Sequence, residues 1–266
     1  MDFRKLNLAF QYTGYKLCRP HRKGHGIHSP FLFDFVNQVI RMKKAGTEKI
    51  EAIQALQKNL RKSKETIPIE DLGAGSSHIP NNIRKISDIT RYSSTNHKKG
   101  KLLYHIIRRY KPEVIIELGT CLGLGTMYLA SGNPDSQVFT LEGCPNLVQM
   151  SRDHFNQLGF KNIISLQGKF DDTLPEILSK TGSFGLVFVD GHHTKEATLR
   201  YFRLLLPYAT AGSIIVFDDI RWSEEMEQAW IEICRQESVK LSLDLFTLGI
   251  VFFNPKIIKQ HYQLYY

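Results

Sequence analysis

The chain has 266 residues, 42% of them hydrophobic and 11% aromatic. That is enough to bury the core of one large domain, or of a domain of about 150 residues with an appendage. No apolar run approaches the roughly 18 residues of a membrane span, MDFRKLNLAF lacks the apolar centre of a secretory leader, and Cys18, Cys121, Cys144 and Cys234 show no C-x-x-C spacing. Neither a zinc site nor a disulfide framework is suggested, and the expectation is a soluble cytoplasmic protein.

The formal charge of +9 is uneven: residues 1–112 carry 23 Lys+Arg against 8 Asp+Glu, and residues 113–266 carry 12 against 18. Such a basic portion can attract nucleic acid, anionic lipid or an acidic substrate, or it can complement the acidic portion of the same chain. No RNA-binding motif accompanies the charge, so the last reading is preferred.

In chain order, residues 3–18 place apolar side chains at near-helical spacing ahead of the basic turn RPHRKGHGIH. His25 and His28 in that turn have no nearby cysteine or carboxylate and are read as turn residues rather than ligands. Ser29-Pro30 opens a helix that runs to about Met42. A further helix from Thr47 to about Lys64 carries Ile50, Ile53, Leu56 and Leu60 on one stripe. No strand is expected in this region. The glycine-rich Asp71-Leu-Gly-Ala-Gly-Ser76 follows KETIPIE, a poor buried strand with a proline and three charges, and precedes HIPNNIRK rather than an apolar helix. It is therefore not expected to be the main ligand loop, although a lid beside an active site would suit it.

From about Asn96 to Tyr110 the pattern is helical, and Lys111-Pro112 ends it. Strand and helix patterns then alternate: Val114–Glu117 with a helix over 125–131, Gln137–Leu141 with 145–158, Ile163–Gln167 with 172–180, Leu186–Asp190 with 194–207, and Ser213–Phe217 with 223–237. A hairpin of Leu241–Phe246 and Gly249–Phe253 closes the series. This alternation predicts an α/β fold with a parallel sheet covered on both faces. Residues 1–95 form a helical, basic extension, and residues 96–266 the α/β domain.

The stretch VIIELGTCLGLGT, Val114 to Thr126, is a short apolar strand ending in Glu117, then Gly119, Gly123 and Gly125, then the start of a helix at Thr126. Glycines let the chain turn sharply and let a ligand lie against bare peptide, facing the helix amides. The spacing is neither the G-x-G-x-x-G of dinucleotide enzymes nor a P-loop. It resembles the first motif of class I S-adenosylmethionine-dependent methyltransferases; D-L-G-A-G at Asp71 shares the wording but not the strand and helix around it.

That resemblance implies a Rossmann-like, seven-stranded, mostly parallel sheet whose last strand is antiparallel, with S-adenosylmethionine as cofactor. Ligands of open α/β sheets collect at the carboxyl ends of the strands. The resemblance therefore implies a cofactor set of Glu117, Gly119, Gly123, Gly125, Thr126, Glu142 on the ribose hydroxyls, Gly168 and Phe170 near the adenine, and Asp190. Asp190 (VFVDGHH) and Asp218-Asp219 (VFDDI) end the next two strands. Three converging carboxylates would repel unless a cation stood between them, and all-oxygen ligands suit magnesium, calcium or manganese. In the other reading, Asp190 only lines the cofactor pocket and the Asp pair caps the next helix, where Ser223 with Glu224 and Glu225 is itself a good start.

On these residues the chain resembles metal-dependent O-methyltransferases of the catechol and caffeoyl-CoA type, which carry Asp-Asn where this chain has Asp218-Asp219, and the macrocin type, which carries Asp-Asp. The resemblance implies a divalent cation, magnesium first, on Asp190, Asp218 and Asp219, and a base three residues after the first aspartate. His193 holds that position; His192 and Lys195 are the next choices. The expected enzyme is a metal-assisted O-methyltransferase of a small hydroxylated molecule, with residues 1–95 covering part of the acceptor pocket and a homodimer allowed. The alternatives are a metal-independent methyltransferase acting on RNA or another polyanion, and a non-catalytic cofactor-binding regulatory module. The amino-directed signature N-P-P-[YF] is absent.

Overall fold

The computed structural model describes residues 12–15, 29–42, 46–70 and 83–266. The loop Asp71–Ser76, His25, His28 and Cys18 lie outside the described residues, as does most of the helix expected over residues 3–18. Among the described residues, no helix is long and apolar enough to cross a membrane.

Ser29 caps α1 (Pro30–Phe35), its hydroxyl accepting from the Leu32 amide, and the chain continues through a wider π turn over Val36–Ile40. Thr47 caps α2 (Glu48–Leu60) in the same way. The N-terminal part is not wholly helical, as the sequence suggested. β1 (Thr66–Pro68) and β2 (Ile83–Lys85) pair antiparallel, and α3 (Ile86–Tyr92) follows directly. Strands of three residues are too short to show a period-2 pattern, and Pro68 had argued against one; it stands at the strand's end, where a missing amide costs least.

Asn96 caps α4 (His97–Tyr110), which ends where Lys111 adopts a left-handed conformation (φ 46°) before Pro112. The alternating series then forms β3 (Val114–Leu118), α5 (Leu124–Gly132), β4 (Gln137–Glu142), α6 (Pro145–Gln157), β5 (Ile163–Gln167), α7 (Phe170–Thr181), β6 (Phe184–Val189), α8 (Lys195–Leu205), β7 (Ala209–Phe217) and α9 (Glu224–Arg235). β8 (Leu241–Asp244) and β9 (Gly249–Phe252) make the expected hairpin.

The main sheet has eight strands in the order β10-β8-β9-β7-β6-β3-β4-β5, with β9 antiparallel to both of its neighbours. The strand beyond the expected seven is β10 (Gln260–Gln263), which pairs parallel with β8. Its sequence, QHYQ, is polar because it sits at a sheet edge with alternate residues exposed, so it carries no apolar strand signal.

One face of the sheet is covered by α1, α2, α4 and α5, whose Leu32, Phe35, Ile50, Ile53, Leu103 and Ile107 share a single apolar cluster with β3 and β9. α1 and α2 thus pack into the main core, whereas α3 joins a separate small cluster with Leu122 and Leu147 through Ile86 and Ile89. The other face is covered by α7, α8 and α9 through Leu174, Leu178, Phe202, Trp230 and Ile233. Phe35 is fully buried, and truncating such a ring costs about 3–5 kcal/mol, so α1 is bound to the sheet by much of a typical domain's stability. With both faces covered, the carboxyl ends of β3, β4, β6 and β7 converge on one rim, where the loops leave room for a cleft.

Candidate active site

Glu117 faces inward from β3 and is 1% exposed. Its carboxylate accepts from the Thr126 and Thr140 hydroxyls, the latter at 2.6 Å, and Thr120 and Thr140 are themselves linked at 2.6 Å. Burial pushes the Glu117 carboxyl up to about 7, partly opposed by these two hydroxyls. Glu117 and Thr126 therefore brace the glycine loop from beneath; neither borders the cleft.

Two of the glycines are required by the backbone. Gly119 has φ +106°, and a Cβ there would lie 2.2 Å from the Asp190 carbonyl oxygen. Gly123, at φ +78°, precedes α5 and lies against the Phe155 ring, 2.5 Å from where a Cβ would be. Gly125 packs between Glu117 and Thr95, whose side-chain oxygens would each be 2.8 Å from a Cβ. Of the three, Gly119 borders the cleft, together with Cys121.

The cleft has a volume of ≈ 360 Å³ and is lined by Glu142, Gly168, Phe170, Asp190, His192, His193, Asp218 and Asp219 among others. Glu142 ends β4 with its carboxylate fixed by the amides of Cys121 (2.9 Å) and Cys144 (3.0 Å). Gly168 (φ +152°) turns the chain after β5, its amide donating to the Glu142 carbonyl at 3.0 Å. Phe170 opens α7 and packs against the His192 ring with centroids 4.9 Å apart and planes tilted by 40°.

Opposite these groups stand the aspartates. Lys99, reaching in from α4, donates to Asp218 Oδ2 in an ion pair that leaves the two side chains 16% and 2% exposed. The Asp219 amide donates to Asp218 Oδ1 at 2.8 Å, and Asp219 itself is left-handed at φ 52°. Desolvation alone would lower the Lys99 ammonium, but Asp218, Asp190 and Asp219 outweigh it and raise it. Asp190 is pushed well up by burial and then by Asp218, with Lys99 opposing. Asp219 is raised by burial and Asp218.

His193 places Nε2 3.9 Å from Asp190 Oδ1 and faces Trp222 across 6.4 Å. His192 turns Nδ1 to the Tyr201 hydroxyl at 2.7 Å. Lys195 points away: it pairs with Glu232 on α9, bonds Gln228 at 3.3 Å and does not border this cleft. The helix-cap reading of the Asp pair also fails for Asp219, because α9 is capped by Ser223, whose hydroxyl accepts from Met226 N at 3.1 Å.

The expected metal ligands are thus neighbours, but as arranged they do not fit a divalent ion. The Lys99 ammonium stands on Asp218 Oδ2, so a divalent ion there would have to displace it or bear its repulsion. Among the described residues no three His, Cys, Asp or Glu side chains are grouped to hold a metal.

Sequence reasoning missed Lys99, the loop Tyr92 to Thr95, and Trp222, all of which border the cleft. A signal for Lys99 existed. It lies three and four positions before Leu102 and Leu103, on the apolar stripe of α4, where a lysine needs a partner.

Residues 116–220 match a family profile described as a methyltransferase domain. Over 125 residues the chain is 30% identical to a catechol O-methyltransferase of Mycobacterium tuberculosis, covering 46% of this chain and 55% of that protein. Over 130 residues it is 27% identical to a catechol O-methyltransferase of Niastella koreensis, covering 48% and 58%. The chain spans a little over half the length of these curated relatives. In fold it is similar to an O-methyltransferase from Bacillus cereus in complex with S-adenosylhomocysteine (TM-score 0.56, 18% identity, 82% of this chain and 96% of that one). It is equally similar to the O-methyltransferase TomG of Streptomyces achromogenes in complex with S-adenosylmethionine (TM-score 0.56, 16% identity, 84% and 94%).

Proposed function

We propose that this chain, built around a class I S-adenosylmethionine-dependent methyltransferase domain, methylates a hydroxyl group of a small molecule. The observation that carries the reading is the joint placement of two strand-end groups in one cleft. Glu142, its carboxylate fixed by two amides, stands at the end of β4, and the Asp190–His193 pair follows β6.

In this reading the fixed Glu142 carboxylate accepts the two ribose hydroxyls of the cofactor, and the adenine lies by Gly168 and Phe170. The glycine loop at Gly119 lets the cofactor approach the backbone. The sulfonium supplies an already activated methyl group, so the protein's task is to align the acceptor and take its proton. His193 is the base: its ring is partly exposed, faces the cleft, and is held between Asp190 and Trp222. Phe170 and Tyr201 hold His192 in place beside it. Tyr92 and Trp222, 83% and 53% exposed at the cleft's edge, offer flat apolar surfaces on which a ring-bearing acceptor can rest. The O-methyltransferase names of the sequence relatives support hydroxyl as the acceptor group.

A divalent cation is not carried into this reading, since the Lys99 ammonium already stands on Asp218 and a second positive charge beside it would be repelled. The test is release of S-adenosylhomocysteine from S-adenosylmethionine in the presence of a panel of phenols, vicinal diols, amines and short RNAs. Turnover confined to hydroxylated small molecules supports the reading; turnover confined to amines or RNA contradicts it.

A further inference from the structure

At the carboxyl ends of β6 and β7, Asp190, Asp218 and Asp219 border one cleft together with Lys99. Lys99 is directed there by α4: it occupies the helix's apolar stripe, so its stem runs inward beside fully buried Leu102 and Leu103. Removing an ammonium from water costs several kcal/mol unless it is paired, and Lys99 is paired with Asp218, which is itself almost wholly buried. Asp190 and Asp219 act on the same ammonium. Both oxygens of Asp218 are engaged without any outside ion.

We propose that Lys99 is the resident cation of this site, its ammonium standing on Asp218 where a divalent ion would have to bind, so that methyl transfer proceeds without metal. The inference rests on the methyltransferase reading for its chemistry. A lysine ammonium is a compact point charge with three rotatable donors. One N–H is held by Asp218, and another meets the acceptor oxygen at the cleft, orienting it and stabilising the charge that grows on it. In the step, the acceptor O–H bond breaks and its proton passes to His193. The oxygen lone pair forms the bond to the methyl carbon, and the carbon–sulfur pair stays on sulfur, leaving the neutral thioether S-adenosylhomocysteine. An ammonium lowers the acceptor's pKa less than a divalent ion would, which increases the demand on His193.

The test follows Mn²⁺ binding to the full chain by electron paramagnetic resonance, with S-adenosylhomocysteine binding measured on the same preparations. The wild type is expected to show no Asp218-dependent Mn²⁺ binding at millimolar metal and to keep its turnover in a chelator. Lys99→Met and Lys99→Gln each free Asp218 and are expected to bind Mn²⁺ at least ~10-fold more tightly than the wild type, as the local charge becomes more negative. Stoichiometric Mn²⁺ on the wild type that Asp218→Asn abolishes overturns the proposal, and this arm needs no lysine variant to fold. A lysine variant that binds S-adenosylhomocysteine yet gains no Mn²⁺ also overturns it. A wild type that binds no S-adenosylhomocysteine fails the methyltransferase reading instead, and the metal result then stands on its own.

Discussion

Gly119 lies directly under the backbone of Asp190: a Cβ on the glycine would be 2.2 Å from the Asp190 carbonyl oxygen, and the Asp190 amide donates to the Leu118 carbonyl at 2.9 Å. The glycine loop after β3 and the acidic turn after β6 are therefore one mechanical unit. In the proposed reading, this contact holds the cofactor half and the acceptor half of the cleft in register.

Gly119→Ala should disrupt both halves together. At φ +106° an alanine is strained, and the clash is with backbone, which cannot swing aside. A loss of roughly 2 kcal/mol or more in unfolding free energy is expected, along with weakened S-adenosylhomocysteine binding. Chemical denaturation and calorimetry on the same sample check it.

Glu117 sets a pH dependence of stability. Its carboxyl rises from 4.5 in the unfolded chain to about 7 in the folded protein, chiefly through burial. Between these values the folded state binds a proton that the unfolded state does not, so stability is greatest at the acid end and falls as pH rises through about 7. The total is on the order of 3 kcal/mol. Glu117→Gln keeps the shape and most of the hydrogen bonds with Thr126 and Thr140, and should flatten this slope. Urea midpoints measured across the range check it.

Much of the site could be read from the sequence because strand ends in an open sheet must carry the ligand groups. Glu142, Asp190, Asp218 and His193 are singled out that way, and they border a single cleft, which is the candidate site. Glu117 and Thr126 were expected at the cofactor but brace the loop from below, because the position of an acidic residue in a motif does not say whether it points inward or outward along β3. Lys99 was overlooked because in HKKGK it looks like one basic residue among several; only the helical phase relative to Leu102 and Leu103 marks it as inward. β10 escaped notice because an edge strand of polar residues has no apolar run, and β1 and β2 because three residues show no periodicity.

His193→Ala should lower kcat by roughly 10²–10⁴-fold, the usual contribution of a general base, while S-adenosylhomocysteine affinity changes by no more than about 2-fold. His192→Ala is a different perturbation. It removes the Nδ1 contact to Tyr201 and the packing on Phe170, so it should weaken cofactor binding as well as turnover. Steady-state kinetics paired with calorimetry separate the two.

Lys195→Ala should leave turnover within about 2-fold of wild type. Its ammonium pairs with Glu232 outside the cleft, and exposed pairs of this kind contribute about 0–1 kcal/mol. A large fall in kcat would mean that the lysine reaches the acceptor after all.

The most direct measurement is calorimetric titration of the wild type and of Glu142→Ala with S-adenosylhomocysteine. The account predicts micromolar-range binding to the wild type and a loss of roughly 10-fold or more in the variant, since two ribose hydroxyls would lose a fixed charged acceptor worth at least about 1.4 kcal/mol. No binding to the wild type, or equal binding to both proteins, would contradict the placement of the cofactor in this cleft.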